Sequence, residues 1–83
     1  MDYSDLSFVL QGTRRKGIVK ALENKAKTTT ELKNELKLNL ANVSNTLKQL
    51  ESKGLVECKN PDDYHLKFYE LTKKGKEVLK EIK

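Results

Sequence analysis

Residues 39–56 read NLANVSNTLKQLESKGLV, and this segment carries the clearest structural pattern of the chain. Its apolar residues recur at intervals of three and four, which predicts a helix with one buried face. They are Leu40, Val43, Leu47 and Leu50. Asn39 is a favourable N-cap, and Gly54 supplies the left-handed residue that often follows a helix end. We therefore predict a helix over residues 40–53.

A second helix is predicted directly before this one. Thr28 and Glu31 have the spacing of a capping box, in which each residue bonds the backbone amide of the other. After this cap, Leu32 and Leu36 form an apolar stripe along one side of the predicted helix. Residues 37–39 interrupt the pattern, so the two helices form a helix-turn-helix over residues 28–53.

The amino-terminal part of the chain contains one further helical pattern. From Thr13 onward, Ile18, Val19 and Leu22 fall on one side of a predicted helix. Gly17 lies inside it at a cost of about 1 kcal/mol relative to alanine, so we expect a neighbouring element to approach closely there. Residues 3–10 are compatible with either a short helix or an extended arm.

After Gly54 the apolar period changes from 3.6 to 2, which indicates β-strands. Residues 55–59 and 65–71 are predicted strands, joined by a turn with a tip of about five residues. Tyr64, Phe68 and Tyr69 are expected to pack this hairpin against the helices, with Tyr64 nearer the surface. Thr72 can cap a last helix over residues 73–82.

This order of elements predicts a mostly α, α+β fold: a winged helix-turn-helix with a three-helix core, a β-hairpin wing and a carboxyl-terminal helix. The wing spans residues 55–71 and the last helix, with its cap, residues 72–82. At 83 residues, with 36% hydrophobic and 35% charged residues, the chain is expected to form one domain over residues 1–83.

The charge and the apolar content restrict the classes of function. Seventeen Lys and Arg against twelve Asp and Glu give a net charge of +5, which favours polyanionic partners. No apolar run approaches the roughly 20 residues of a membrane span. The amino terminus is too acidic for a secretory signal. We therefore expect a cytoplasmic protein without a membrane partner.

Catalytic and metal-binding patterns are missing from the sequence. Its single cysteine, Cys58, and single histidine, His65, are too few for a zinc or arsenic site. Cys58 on a strand is more typical of a small buried hydrophobe than of a redox switch. The sequence contains no nucleophile–base pair, paired carboxylates or phosphate-binding glycine loop. We expect neither enzymatic activity nor a cofactor or bound metal.

Four sequence landmarks occur in a fixed order. They are F-V-L-x-x-x-R-R-x-x-I (8–18), T-x-x-E-L (28–32), V-S-x-x-L-x-x-L-x-x-x-G-L-V (43–56) and Y-x-L-T-x-x-G (69–75). With them, residues 8–80 resemble the ArsR/MarR-type winged-helix transcription regulators, especially the small stand-alone archaeal versions. The resemblance implies a sequence-specific regulator of double-stranded DNA, expected to be a repressor, with the helix over residues 40–53 in the major groove.

Two other functions remain open at this point. Winged helices also serve as protein-interaction or RNA-binding modules, although an outward side rich in amides lacks the apolar anchors of a protein interface. The charge of +5 also permits a chromatin-like protein that coats DNA with little specificity. A regulator differs in preferring its operator by at least about 10³-fold over bulk DNA.

Helical geometry selects the side chains that would face DNA. At 100° per residue, the side opposite the apolar face of helix 40–53 carries polar and small residues. These are Ala41, Asn42, Asn45, Lys48 and Gln49, with Ser44 and Thr46 on the flanks. The amides of asparagine and glutamine pair with adenine, and the alanine methyl group can contact the methyl group of thymine. We therefore expect an operator rich in A·T base pairs. The alternative is that these side chains are only solvated.

The resemblance also implies contacts to the DNA backbone. The start of the second helix would offer amides and hydroxyls to a phosphate, and the start of the first helix would offer cations. These residues are Thr28, Thr29, Thr30, Arg14, Arg15 and Lys16. For the basic residues, a solvated face or ion pairs are the alternative.

The predicted wing carries groups of both charges. Lys59, Asn60, His65 and Lys67 can reach phosphate or the minor groove. The wing tip, however, carries Asp62 and Asp63 where DNA-reading wings often have basic residues. We therefore expect the wing to contact phosphates at most.

Specific DNA readers usually pair across a two-fold axis, so we expect a homodimer. Apolar residues near the two ends of the chain are the predicted interface. They are Leu6, Phe8, Val9, Leu10, Val78, Leu79 and Ile82. The alternative is that these residues close the core of a single chain.

Overall fold

The computed structural model describes residues 3–63 and 65–83, and these residues form five helices and three short strands. The helices are α1 (Tyr3–Leu10), α2 (Thr13–Ala21), α3 (Thr29–Leu36), α4 (Leu40–Ser52) and α5 (Lys73–Ile82). The strands are β1 (Lys27–Thr28), β2 (Val56–Cys58) and β3 (Phe68–Leu71). The predicted winged helix-turn-helix is confirmed, and the open choice at residues 3–10 is decided in favour of a helix.

The helices begin at the caps that the sequence predicts. The hydroxyl of Thr28 accepts from the Glu31 amide at 3.1 Å, and the Glu31 carboxylate accepts from the Thr28 amide at 2.9 Å. The side chains of Asn39 and Thr72 each accept from the amide three residues later, at 2.7 and 3.1 Å. Gly54 follows α4 with φ of +72°. Local capping therefore sets where α3, α4 and α5 start and where α4 stops.

The three strands form an antiparallel sheet in the order β1-β3-β2. In the β2–β3 hairpin, which is the predicted wing, Val56 lies opposite Leu71. On the other side of β3, Thr28 lies opposite Phe68. Strand β1 is absent from the prediction because two residues are too short to show an alternating pattern. It forms only because β3 offers it a free edge.

The wing has shorter strands and a longer tip than the sequence predicts. Its strands cover residues 56–58 and 68–71, so the tip runs from residue 59 to 67. The Asn60 side chain accounts for the difference: its Nδ2 donates to the Leu66 carbonyl at 2.6 Å, and its Oδ1 accepts from the Phe68 amide at 2.8 Å. These side-chain bonds replace the ladder bonds that longer strands would make. The expected position of Tyr64 lies outside the described residues.

The core draws on all five helices and on both wing strands. Its buried apolar residues are Val9, Ile18, Val19, Leu22, Leu32, Val43, Leu47, Leu50, Leu55, Val56, Leu71, Val78 and Leu79. Two expectations for α4 were wrong. Leu40 is 47% exposed, because the buried face of α4 begins one turn later, at Val43. Thr46 is buried instead of lying on an outward flank, and its hydroxyl donates to the Asn42 carbonyl at 2.8 Å.

Gly17 in α2 has room for a methyl group, so the expected close approach there was wrong. A Cβ at this position would lie 3.6 Å from the nearest atom of Leu36, which is an ordinary contact. We expect Gly17→Ala to raise the free energy of unfolding by up to about 1 kcal/mol, as measured in urea, because alanine favours the helix. Gly54→Ala, at φ +72°, is the control and should destabilise. A Gly17→Ala variant less stable than the wild type would contradict this reading.

Candidate nucleic-acid interface

Helix α4 presents a polar side to solvent, as predicted. Ala41, Asn45, Lys48 and Gln49 are exposed, and Asn42 and Ser44 are half-buried. The first turn of α4 carries no acidic residue, so its amides and dipole add positive potential at the amino end. The exposed surface of α4 therefore combines amide groups with a weakly positive field, which suits a polyanion that displays base edges.

An open groove of about 620 Å³ lies between the amino end of α2 and this side of α4. The residues that line it include Arg14, Arg15, Asn42, Asn45, Thr46 and Gln49. The groove brings predicted residues from two distant segments onto one surface. Helical geometry alone could not show this, because it orders residues within a helix and not between helices.

Arg15 is held by contacts within the chain. Its Nε donates to Gln49 Oε1 at 3.2 Å, and its Nη1 donates to the Phe8 carbonyl at 2.8 Å. Its guanidinium lies 3.9 Å from the centroid of the Phe8 ring, a cation–π contact. This side chain therefore joins α1 to α4, and its contact with phosphate stays a prediction. Arg14 is exposed and Lys16 half-buried at the same end of α2.

The start of α3 offers fewer groups for a phosphate than the sequence suggests. Thr28 is 5% exposed, and both its hydroxyl and its amide are engaged by Glu31. Thr29 and Thr30 lie in the first turn, where amides have no acceptor within the helix. Of the three predicted threonines, Thr28 is thus a structural cap, and contact of Thr29 or Thr30 with a phosphate stays a prediction.

The Thr28–Glu31 capping box makes the stability of the fold depend on pH in the acidic range. The hydrogen bond from the Thr28 amide holds the pKa of Glu31 below its ordinary value of 4.5. A carboxylate with a lowered pKa in the folded state stabilises the fold above its unfolded pKa, and this contribution is lost as pH falls through the folded value. We expect the free energy of unfolding to decrease below about pH 4.5, as measured by urea unfolding between neutral and acidic pH.

The control for this dependence is Glu31→Gln, which keeps an acceptor in the cap but does not titrate in acid. Its acid-induced loss should be smaller than that of the wild type. Some loss should remain, because the His65 amide, and the Leu66 amide after it, hold the pKa of Asp63 below its ordinary value of 3.8. If the free energy of unfolding fell equally in both proteins at low pH, the protonation of Glu31 would not be coupled to folding.

The basic wing residues lie on a separate element from the groove. Lys59 and Lys67 are both exposed, and Lys59 Nζ is 3.8 Å from the Glu70 carboxylate. Asp62 and Asp63 are exposed at the wing tip. The structure does not place Lys59 or Lys67 among the residues that line the groove. Their contact with DNA stays a prediction.

Three of the predicted interface residues belong to the core of the single chain. Val9, Val78 and Leu79 are at most 5% exposed, because α1 packs against α2 and α5 and buries one face of each helix. Phe8 is half-buried, with Arg15 over its ring. Leu6 and Ile82 are half-buried and Leu10 is 50% exposed. These last three residues keep apolar surface on the outside.

Sequence reasoning missed Tyr3, which is 76% exposed in the first turn of α1. Tyr3, Leu6 and Leu10 follow an i, i+3, i+7 spacing, so they form one apolar stripe along the helix. The spacing was available in the sequence, but it becomes a signal only once residues 3–10 are known to be helical. We call these three residues the α1 stripe.

An ion pair between the buried Asp5 and the exposed Lys74 connects α1, α5 and the end of α4, and it was also missed. Asp5 is 5% exposed, and its Oδ2 lies 2.9 Å from Lys74 Nζ. The same ammonium donates to the carbonyl of Lys53, just after α4, at 2.9 Å. One lysine of α5 therefore ties α1 to the carboxyl end of α4. Nothing in the local sequence marks a contact across 69 positions.

In the described residues, 3–63 and 65–83, no group of three or more His, Cys, Asp or Glu side chains is placed to hold a metal ion. Cys58 is half-buried, with its thiol 3.8 Å from Asn60 Oδ1. Among the helices of these residues, none has the length and apolar content to cross a bilayer.

Comparison with known families identifies the chain. A family model described as a helix-turn-helix domain matches residues 12–59, more than half of its length. This chain belongs to the helix-turn-helix domain family. The match covers α2, α3 and α4 together with β2, that is, the groove and the predicted reading helix. No protein of curated function matches the chain in sequence.

Solved structures share the fold. The transcriptional regulator HlyU from Vibrio vulnificus CMCP6 is 25% identical with a TM-score of 0.81, over 96% of this chain and 82% of that one. Wild-type ZitR from Lactococcus lactis, solved in complex with DNA, is 26% identical with a TM-score of 0.74, over 82% of this chain and 47% of ZitR. This chain therefore spans about half the length of ZitR.

A third structure supports the fold alone. The transcriptional repressor BigR from Xylella fastidiosa is 22% identical with a TM-score of 0.81, over 96% of this chain and 78% of BigR. The helix-turn-helix family and this fold confirm the resemblance to ArsR/MarR-type winged-helix regulators. The chain is a sequence-specific DNA-binding transcription regulator.

Proposed function

We propose that this regulator binds an operator in double-stranded DNA with α4 in the major groove and represses transcription by occupying a promoter. The observation that carries the proposal is the outward side of α4. There the amides of Asn42, Asn45 and Gln49 line one groove with Arg14, and the first turn of α4 carries no acid. Amides of this kind read adenine in the major groove, which supports an A·T-leaning site.

Contacts to the DNA backbone would set the position of α4. The start of α3, with Thr29 half-buried and Thr30 exposed, would contact a phosphate. Arg14 and Lys16, at the start of α2, and Lys48 on α4 would add charge. The similar regulators HlyU and ZitR come from bacteria, whose DNA lies in the cytoplasm, so we propose that this protein works there as well.

The proposed assembly is a homodimer whose interface includes the α1 stripe and Ile82. The stripe leaves Tyr3 76% and Leu10 50% exposed, large apolar surfaces that a second copy would cover. Two copies across a two-fold axis would read two half-sites. Light scattering at micromolar concentration should give about twice the 9.5 kDa of one chain.

Charged substitutions test this interface. Tyr3→Glu with Leu10→Glu should give the mass of one chain, because burying two carboxylates in an apolar interface is costly. Asn34→Glu, an exposed position on α3, adds charge away from α1 and should leave the dimer intact. A wild-type mass of one chain would contradict the dimer.

The test of function is fluorescence-anisotropy binding to duplex fragments of genomic DNA over a salt series. We expect a few fragments to stay bound at about 150 mM salt, preferred by at least about 10³-fold over the rest. Uniform binding that is lost with salt would instead show a low-specificity DNA-coating protein, as the charge of +5 permits. Absence of binding even at low salt would favour a protein-interaction module.

A further inference from the structure

The hydrogen bond between Arg15 and Gln49 defines how the Gln49 amide is turned. The arginine Nε carries a proton and cannot accept, so the atom it meets at 3.2 Å has to be the carbonyl oxygen of Gln49. With the oxygen turned toward Arg15, the NH₂ group occupies the other end of the amide. The two orientations of a glutamine amide, which free rotation would exchange, are thereby reduced to one.

Arg15 is itself fixed, which makes it an effective anchor. Its Nη1 donates to the Phe8 carbonyl at 2.8 Å, and its guanidinium stacks 3.9 Å from the centroid of the Phe8 ring. The planar guanidinium can make both bonds at once from one conformation. Within the described part of the chain, Asn45 and Lys48 have no such side-chain bond. Gln49 is thus the restrained amide on an otherwise free surface.

We propose that Arg15 is a positioning residue that makes Gln49 a specificity-determining hydrogen-bond donor. The Gln49 NH₂ would read an acceptor on the major-groove edge of the base it contacts. Adenine N7, guanine N7 and O6, and thymine O4 are such acceptors, whereas cytosine presents its N4 donor. Cytosine is therefore disfavoured at this position. The inference rests on the proposed function, since it requires α4 in the major groove.

This proposal revises the sequence-based expectation for Gln49. A bidentate pair with adenine uses the glutamine oxygen and the NH₂ group together. In the structure the Gln49 oxygen already accepts a hydrogen bond from Arg15. Only the Gln49 NH₂ group therefore remains to bind a base, and it can only donate. The adenine preference expected of Asn42 and Asn45 is unaffected, because neither side chain contacts Arg15.

The experiment measures discrimination at one base pair. Selection from a random duplex pool defines the operator, and anisotropy then gives Kd for duplexes changed at single positions. The variants are Arg15→Lys, Gln49→Ala and the two combined. Lysine keeps the charge, but its single nitrogen cannot replace the guanidinium fork. Lys20→Arg, an exposed position on the same helix that is not part of the groove, is the control.

We expect one base position at which Arg15→Lys and Gln49→Ala each reduce discrimination against cytosine by about 3- to 10-fold, the value of one hydrogen bond. The salt dependence of binding should not change in Arg15→Lys. The double variant should be no worse than Gln49→Ala, because Arg15 acts through Gln49. Lys20→Arg should keep the discrimination at that position.

Gln49→Glu provides a second, independent readout. Glutamate keeps an oxygen for Arg15 but replaces the NH₂ by an acceptor, so preference at that base should turn toward cytosine N4. Thermal unfolding by circular dichroism checks that each variant folds. If Arg15→Lys does not fold, the test rests on Gln49→Glu. An unchanged base preference in that variant overturns the proposal, whereas a preference for cytosine supports it.

The possible results distinguish a failure of this inference from a failure of the proposed function. Full discrimination in Arg15→Lys, or single-variant losses that multiply in the double variant, would overturn the inference and leave the regulator intact. Uniform binding of all duplexes by the wild type would overturn the proposed function and this inference with it. A merely structural role for Arg15 would weaken binding to every duplex equally.

Discussion

Replacing Asn42 and Asn45 together by alanine is expected to weaken operator binding by about 30-fold or more and to leave binding to bulk DNA unchanged. Each amide that pairs with a base contributes about 1–3 kcal/mol of discrimination, so two contribute at least about 2 kcal/mol. Both residues line the groove beside α2. The cap of α4 uses the backbone amide of Asn42, which alanine retains, so the helix should remain folded.

Anisotropy with the operator and with bulk duplex, each over a salt series, measures this effect. The salt slope should match that of the wild type, because neither asparagine neutralises a phosphate. Asn24→Ala, an exposed asparagine between α2 and β1, is the matched control and should behave as the wild type. A parallel loss of operator and bulk binding would mean that these amides do not read bases.

Gly75→Ala is expected to destabilise the fold by about 1–3 kcal/mol or more. A Cβ at Gly75 would lie 2.1 Å from the Leu55 carbonyl oxygen and 3.1 Å from its carbon. This neighbour is backbone, and its oxygen already accepts from the Thr72 amide at 3.1 Å. It cannot rotate away as a side chain could, so α5 would have to move off the start of the wing.

Urea unfolding of Gly75→Ala measures this cost. Lys76→Ala, at the next position of α5 and exposed, is the control and should lie within about 0.5 kcal/mol of the wild type. Equal stability of Gly75→Ala and the wild type would show that the α5–Leu55 approach is not tight. This close approach also explains the glycine of the Y-x-L-T-x-x-G landmark, because that glycine is Gly75, where α5 contacts the Leu55 carbonyl.

Most of the helical architecture could be predicted from residues close together in the sequence. The Thr28–Glu31 capping box and the Asn39 and Thr72 caps each act over three positions, and all are present in the structure. The outward side of α4 followed from 100° per residue alone. Such signals are reliable because the interactions behind them stay within one helical turn.

Predictions failed where a distant neighbour decides the outcome. Strand β1 exists only through β3, and the wing tip is long because Asn60 bonds across it. Thr46 became buried and Leu40 exposed because the packing of neighbouring helices sets the edges of an apolar face. Gly17 and Gly75 look alike in the sequence, yet only Gly75 faces a backbone atom too close for a methyl group.

The order of the helices, their caps, the wing and the polar side of α4 follow from local sequence patterns, because they depend on periodicity and on hydrogen bonds between near neighbours. The packing of the folded chain places Val9, Val78 and Leu79 in the core and leaves Tyr3 and Leu10 exposed. It alone brought Arg15 to Gln49, 34 positions apart. Burial and amide orientation depend on which segments meet in space, and no local pattern encodes that.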